Sequence, residues 1–379
     1  LKAIVVDDEG AGPPALHEPE GFAQAARKFA AALRSYPAIR VNLPKYGTNR
    51  MAGLINEVGG YPTRNFRHGR FEDIAKVDGD ALYQRIRERG GKTGHAGCTN
   101  CIIRCSNEYV DENGGYVTSS LEYETIWANG ANCGISDLDA IARIDYLCDD
   151  FGFDTIEMGC SIALAMEKGV IPFGDVAGAL ALVQEAGRGI GLGRDLGDGV
   201  ASTARALGID RVPVVKGQCL TGYDPRAIQG IGVTFATTPM GADHTAGYAV
   251  ISNVLGVGGR VHPLRAEGQV DLSRRLQVRT AAIDATGLCY FILSATHDVP
   301  ESFTSIVEML NARFGWQWTT DDFLRLGQRI LKTERDFNQR AGFGPEDDRL
   351  PPFMQREPLD PHQATFVVPE GELDRLFDF

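Results

Sequence analysis

Cys98-x-x-Cys101-x-x-x-Cys105 sets three thiols within eight residues, flanked by Gly94, Gly97 and, further on, Gly114-Gly115. Thiolates are soft ligands, and this spacing lets one backbone segment wrap three corners of an iron–sulfur cube. A fourth ligand must then come from elsewhere. Zinc competes, but four-cysteine zinc sites use two close pairs, and no second pair matching Cys98 and Cys101 occurs downstream. The spacing favours a [4Fe-4S] cluster, with zinc and incidental thiols as the alternatives. Cys133, Cys148, Cys160 and Cys219 stand alone and read as small buried hydrophobes.

Two aspartate–glycine elements accompany the thiols. Asp149-Asp150-Phe151-Gly152-Phe153-Asp154 falls between two helical patterns, and Asp284-Ala285-Thr286-Gly287-Leu288-Cys289 interrupts another, beside a cysteine able to supply the missing ligand. Each has a bland reading: a helix stop followed by an N-cap, and a helix turn with a buried thiol. Their joint appearance with the cysteine triplet gives them weight. The glycine run from Gly189 to Gly197 misses the G-x-G-x-x-G spacing and follows no strand pattern, so it reads as a turn between helices.

The elements that must hold these residues are mainly helical. Of 379 residues, 43% are apolar, enough for two or three domains with sizeable cores. The net charge of −12 argues against nucleic acid, whose binding needs a positive surface. No apolar stretch approaches the roughly 18 residues of a membrane span, and the N-terminus lacks a signal peptide's pattern, so the cytoplasm is the expected compartment. The chain starts at Leu1, not Met, which suggests processing or a piece of something larger. Ala3-Ile4-Val5-Val6 reads as a short strand before a proline-rich linker. Helical periodicity begins with Phe22, Ala26, Phe29 and Leu33 and recurs at Asp80–Arg89 and from Leu138 to Leu147, where Ser136-Asp137-Leu138-Asp139 resembles a capping box. Asp154 and Glu157 open another helix, to Gly169; more are expected near 175–187, 196–207, 272–285, 304–314 and 320–337. Residues 90–115 read as an irregular cysteine loop, 218–268 as loops lining a site between two helical domains, and the tail after Gly342 as extended surface chain.

In this order, these elements resemble the tungsten-containing aldehyde ferredoxin oxidoreductase family, in its C-terminal helical domains only. The matching residues are the cysteine triplet, Leu121-Glu122-Tyr123-Glu124-Thr125, the Asp149–Asp154 and Asp284–Cys289 elements, Tyr223-Asp224-Pro225-Arg226, and the late Arg335-x-Phe337-Asn338-x-Arg340-x-Gly342 with Asp347-Asp348-x-Leu350-Pro351. The resemblance implies that Cys98, Cys101, Cys105 and Cys289 hold a [4Fe-4S] cluster. It implies that Asp149, Asp154, Asp284 and Leu288 contact a tungsten, or less readily molybdenum, bis-pterin, with Cys289 beside them. Asp carboxylates suit the guanidine-like edge of a pterin, because they accept paired hydrogen bonds. Glu124 and His244 are implied as the catalytic pair, one activating water and the other polarising the carbonyl, with Tyr123 a secondary candidate.

The fold expected on that resemblance is two multihelical domains, 21–227 with the cluster loop and first pterin motif and 228–379 with the second. Residues 1–20 would be a remnant of a β-rich, pterin-cradling N-terminal domain that is otherwise missing. The expected reaction is oxidation of aldehydes to carboxylates, with electrons passing to ferredoxin or an electron-transfer subunit, and a homodimer is compatible. Gly241-Ala242-Asp243-His244-Thr245-Ala246-Gly247 departs from the ferredoxin-linked enzymes, which leaves the substrate open. Two alternatives stand: an aromatic acyl-thioester reductase subunit of the same family, and a non-catalytic iron–sulfur electron-transfer subunit.

Overall fold

The computed structural model describes residues 4–7, 9–95 and 97–379. The principal elements are α1 (Pro19–Ser35), α2 (Gly79–Glu88), β1 (Lys92–His95), β2 (Ser106–Val110), β3 (Tyr116–Ser119), α3 (Tyr123–Asn129), α4 (Leu138–Phe151), α5 (Thr155–Glu167), α6 (Val176–Arg188), α7 (Val200–Leu207), α8 (Gln229–Thr237), α9 (Gln269–Asp284), α10 (Leu293–Asp298), α11 (Pro300–Phe314) and α12 (Thr320–Arg340). The protein is mainly α, as its periodicity predicts. Side-chain caps set the helix starts: Asp137 accepts from the Asp139 N–H at 2.9 Å, Asp154 from Ile156 and Glu157, and Asp175 from Gly178. Thr319 and Asp322 form a reciprocal capping box at α12.

The elements share one continuous core, from Phe29 in α1 to Leu376 near the end of the chain. Helix α1 buries Ala25, Phe29, Ala32 and Leu33 and lies along α11, with Lys28 paired to Glu308 at 2.7 Å. Helix α5 is buried on nearly every face and packs on α3 and α7. Helices α9 and α12 pack so closely that a Cβ on Gly327 would fall 2.0 Å from the Val278 carbonyl oxygen.

Four expectations need correction. The cysteine region is not wholly irregular: β1, β2 and β3 form an antiparallel sheet, pairing Thr93 with Asn107 and Tyr109 with Thr118, and the thiols sit in the β1–β2 connection. Alternation over four or five residues is too short to stand out beside glycines and cysteines. Residues 218–268 are not all loop, for α8 lies within them; buried all round, it has no polar face to create a period. The tail after Gly342 is not surface chain: Phe353, Met354, Leu359, Phe366, Val368 and Leu376 are buried. Gln229 clasps it, donating to the Thr365 carbonyl and accepting from the Val367 N–H, both at 2.9 Å. The strand expected at 3–6 begins outside the described residues, and Ile4, Val5 and Val6 are exposed without strand structure. A strand needs a partner for its backbone polar groups.

Asp145 of α4 is 4% exposed and accepts from the Thr118 hydroxyl at 2.5 Å. Burial, followed by the charge of Asp149, pushes its carboxyl up to about 7. The folded chain therefore holds a proton that the unfolded chain has already released, and this contribution to stability is lost as pH rises from about 4 to about 7. Asp145→Asn should raise Tm by about 2–4 °C at pH 8 and give no gain near pH 4, measured by thermal unfolding at both pH values.

Candidate active site and cysteine loop

Glu122, Tyr123 and Glu124 enter α3 from β3. The Thr48 hydroxyl accepts the Tyr123 N–H at 2.8 Å and donates to the Glu122 carboxylate, so one side chain caps the helix start and fixes the preceding carboxylate. Glu124, in the first helical turn, splits its two oxygens. Oε2 accepts the Gly222 N–H at 2.8 Å, while Oε1 lies 3.3 Å from His244 Nε2 and has no hydrogen-bond partner. A side chain at 222 would prevent this: its Cβ would stand 3.0 Å from Glu124 Oε2 and 2.8 Å from Tyr123 Cε1.

His244 is not tied to Asp243. Asp243 accepts instead from the Thr245 N–H and hydroxyl, both at 2.7 Å, and from the Ala246 N–H, which shapes the turn that presents the imidazole. His244 Nδ1 is buried without a partner. Burial raises the Glu124 carboxyl above its ordinary value, opposed by His244 and by the Gly222 and Thr221 hydrogen bonds. Burial also pushes Glu122 up to about 7, opposed by the Thr48 hydrogen bonds.

The pair faces a cavity of about 240 Å³ with largely aromatic walls. Tyr123 stacks on Tyr223 at 5.0 Å and 16°, and Tyr223, Tyr248 and Tyr290 follow edge to face at 5.3 and 6.2 Å. The Tyr248 hydroxyl donates to that of Tyr223 at 2.7 Å. Thr48, Arg50, Glu122, Tyr223, Tyr248 and Tyr290 all line this cavity, and sequence reasoning singled out none of them for a role in catalysis. The matched segments Leu121–Thr125 and Tyr223–Arg226 were the available signal for Glu122 and Tyr223. Nothing in the sequence marked Thr48 or Arg50.

The cysteine loop presses against the same region. Asn100 and Arg104 adopt left-handed conformations, and the Arg104 N–H donates to Cys101 Sγ at 3.3 Å. Burial pushes the Cys105 thiol up to about 12, reinforced by the charges of Glu122, Cys289 and Cys101. Cys289, although exposed as a residue, is raised by partial desolvation of its thiol and then by Cys101, Cys98 and Asp284. Cys289 thus lies within reach of the charges of the loop thiols, although 184 residues separate it from Cys105. Among the described residues, no three His, Cys, Asp or Glu side chains converge on one ion position.

The two aspartate–glycine elements share one local form. Gly152 donates to the Asp149 carbonyl at 3.3 Å and Gly287 to that of Asp284 at 3.0 Å, each glycine left-handed with open space around its α-carbon. Asp154 spends one oxygen on the α5 cap, and its charge reaches Glu124; Asp149 is exposed, beside Asp145 and Cys148. Asp284, raised by burial and by Asp243, lines a second cavity of about 790 Å³ with Asp243 and Glu334. Gln277 Oε1 and Thr280 Oγ1, buried without partners, belong to residues lining that cavity. Of the residues the resemblance implies for the pterins, Asp284 lines this cavity while Asp149, Asp154 and Leu288 do not; its carboxylates could accept hydrogen bonds from a donor-rich ligand. Leu288 is half-buried against the core between Asp284 and Cys289.

Residues 24–378 match the family described as "Aldehyde ferredoxin oxidoreductase, domains 2 & 3". The tungsten-containing aldehyde ferredoxin oxidoreductases of Thermococcus kodakarensis and Pyrococcus horikoshii are 35% and 34% identical over the whole chain. The chain spans 63% of the length of each. The aliphatic sulfonate oxidoreductase WOR-like subunit of Pyrococcus furiosus is 24% identical over 95% of the chain and 57% of its own length. Among solved structures, the active-site complex BamBC of benzoyl coenzyme A reductase with 1,5-dienoyl-CoA shares the fold. Its TM-score is 0.69 at 16% identity, over 89% of this chain and 59% of that one.

Exposure orders the thiols: Cys98 and Cys289 are exposed, Cys101 and Cys105 intermediate, and the remaining four buried. In the metal-free chain, iodoacetamide followed by peptide mass spectrometry should modify Cys98 and Cys289 first, and Cys133, Cys160 and Cys219 only on unfolding. Reconstitution with iron and sulfide should protect Cys98, Cys101, Cys105 and Cys289 together; protection of any two alone would contradict the four-thiol assignment.

Proposed function

The chain belongs to the aldehyde ferredoxin oxidoreductase family, and on that premise we propose that it carries the reacting residues of an enzyme oxidising aldehydes to carboxylates. The observation that carries this reading is the Glu124–His244 pair: two half-buried groups 3.3 Å apart at a cavity, each with a buried polar atom that has no hydrogen-bond partner. Buried polar atoms are normally paired, so orphans at a cavity are reserved for a ligand. Two further observations support it: Cys289 within reach of the charges of the cysteine loop, and the second, carboxylate-lined cavity.

Oxidation of an aldehyde adds a water oxygen to the carbonyl carbon and removes protons and two electrons. Glu124 takes the proton from the attacking water through Oε1, the oxygen left free by the Gly222 hydrogen bond. Burial makes this carboxylate a stronger base than an exposed one. His244 donates a hydrogen bond to the carbonyl oxygen and polarises it. The tyrosine walls exclude bulk water and hold the substrate's apolar body. A tungsten bis-pterin contacted by Asp149, Asp154, Asp284 and Leu288 would supply the two-electron acceptor, and a [4Fe-4S] cluster on Cys98, Cys101, Cys105 and Cys289 the route towards ferredoxin. The division at residue 227 is part of the proposal, since the cavity draws Glu124 and Tyr223 from one side of it and His244, Tyr248 and Tyr290 from the other.

Metal analysis and electron paramagnetic resonance of the anaerobically purified full-length protein should find tungsten and a [4Fe-4S] signal. Iron without tungsten would make the chain an electron-transfer subunit, and absence of both would end the reading. Turnover of a benzoyl thioester in place of benzaldehyde would identify the acyl-thioester reductase. Glu124→Gln should lower kcat about 10²–10⁴-fold at unchanged tungsten and iron content. In the unsubstituted enzyme kcat should fall with acid along a limb lying above the ordinary carboxylate range, because Glu124 must be ionised to act.

A further inference from the structure

The turn Gly47–Met51 places two side chains at the aromatic cavity. Thr48 serves the carboxylates, as described. Arg50 makes no hydrogen bond and no ion pair among the described residues, although it is half-buried in the cavity wall. Carboxylates around the cavity are engaged elsewhere: Glu122 accepts from Thr48, Glu124 from Gly222, and Asp298 from the Tyr36 hydroxyl and the Gly258 N–H. A half-buried, unpaired guanidinium in an aromatic wall offers its fork of N–H donors to an anion entering the cavity.

Arg50 lines the same cavity as Glu124 and His244 and pairs with neither Glu122 nor Glu124. The guanidinium therefore meets a different part of a bound molecule from the part held at Glu124 and His244. The carboxylate formed by the reaction arises at Glu124, so an anion at Arg50 is a second group. The volume, about 240 Å³, lies below the about 300–1,000 Å³ of pockets for drug-sized ligands and suits one ring with its substituents.

We propose that Arg50 anchors a carboxylate carried by the substrate at a distance from its aldehyde, so that the substrate class is aromatic or similarly flat aldehydes bearing an acid group. The planar guanidinium fork binds a carboxylate in two parallel hydrogen bonds, and the tyrosine walls take the ring between the two ends. This inference rests on the aldehyde-oxidising reading of the same site.

The test uses the cofactor-loaded full-length protein and its Arg50→Gln and Arg50→Lys variants. Isothermal titration compares benzoate with isophthalate and terephthalate, and kinetics compare benzaldehyde with 3- and 4-carboxybenzaldehyde. In the unsubstituted protein the better diacid should bind about tenfold or more tightly than benzoate. The matching carboxybenzaldehyde should show a similarly lower KM at comparable kcat. Arg50→Gln should abolish that preference while leaving benzoate binding, benzaldehyde kcat, tungsten and iron unchanged; Arg50→Lys should keep part of it. Equal affinities for mono- and diacid overturn the inference. So does a loss in Arg50→Gln that falls equally on both acids, or one that lowers tungsten or iron content. If benzaldehyde is oxidised without any preference for the carboxylated aldehydes, the anchor alone fails; if no aldehyde is turned over and no acid binds, the underlying reading fails with it.

Discussion

The hydrogen bond from the Gly222 N–H to Glu124 Oε2 is the contact on which the rest of the site depends. It docks the segment after residue 218 onto the first turn of α3 and commits one carboxylate oxygen, so that the other must face His244 and the cavity. The contact requires that residue 222 have no side chain, because a Cβ there would meet Tyr123, Glu124 and Trp127 within 3.0 Å. Trp127 in turn is fully buried and anchored through its indole N–H to the Pro62 carbonyl at 2.7 Å, so α3 cannot retreat to make room.

A second constraint ties the cavity to the cysteine loop. Gly47 packs where a Cβ would be 3.0 Å from the Cys105 carbonyl oxygen. The turn beginning there carries Thr48 to Glu122 and Arg50 to the aromatic wall. Glu122 is itself felt by the Cys105 thiol. The thiols and the reacting pair are therefore not two independent features on one scaffold, because the turn packed on the loop also carries Thr48 and Arg50 to the cavity.

The frame behind these contacts is polar as well as apolar. Asp224 and Arg226, both at most 1% exposed, pair at 2.7 Å, and Arg226 also donates to the carbonyls of Phe66 and Glu357. Three distant stretches of chain meet at that guanidinium, immediately after Tyr223. Buried pairs of this kind are costly to break and so hold geometry firmly, whatever their net stability.

Local chemistry was legible in the order of residues because it is local. The cysteine spacing, the caps at Asp137 and Asp154 and the left-handed glycines of the two aspartate motifs follow from residues within a few positions of one another, and the family resemblance from the order of such short motifs along the chain. So does the mainly helical character, wherever a helix keeps one wet face. Helix α8, buried all round, and the short strands left no such mark, and the packed tail looked like surface because its apolar residues are irregularly spaced. Only the tertiary structure brought Thr48, Glu122, Gly222, His244 and Tyr290 together, freed one oxygen of Glu124, and left Arg50 without an anion. Those facts depend on contacts spanning 74 residues or more and on which polar atoms remain unsatisfied once the others are paired. Neither property is carried by any short window of sequence.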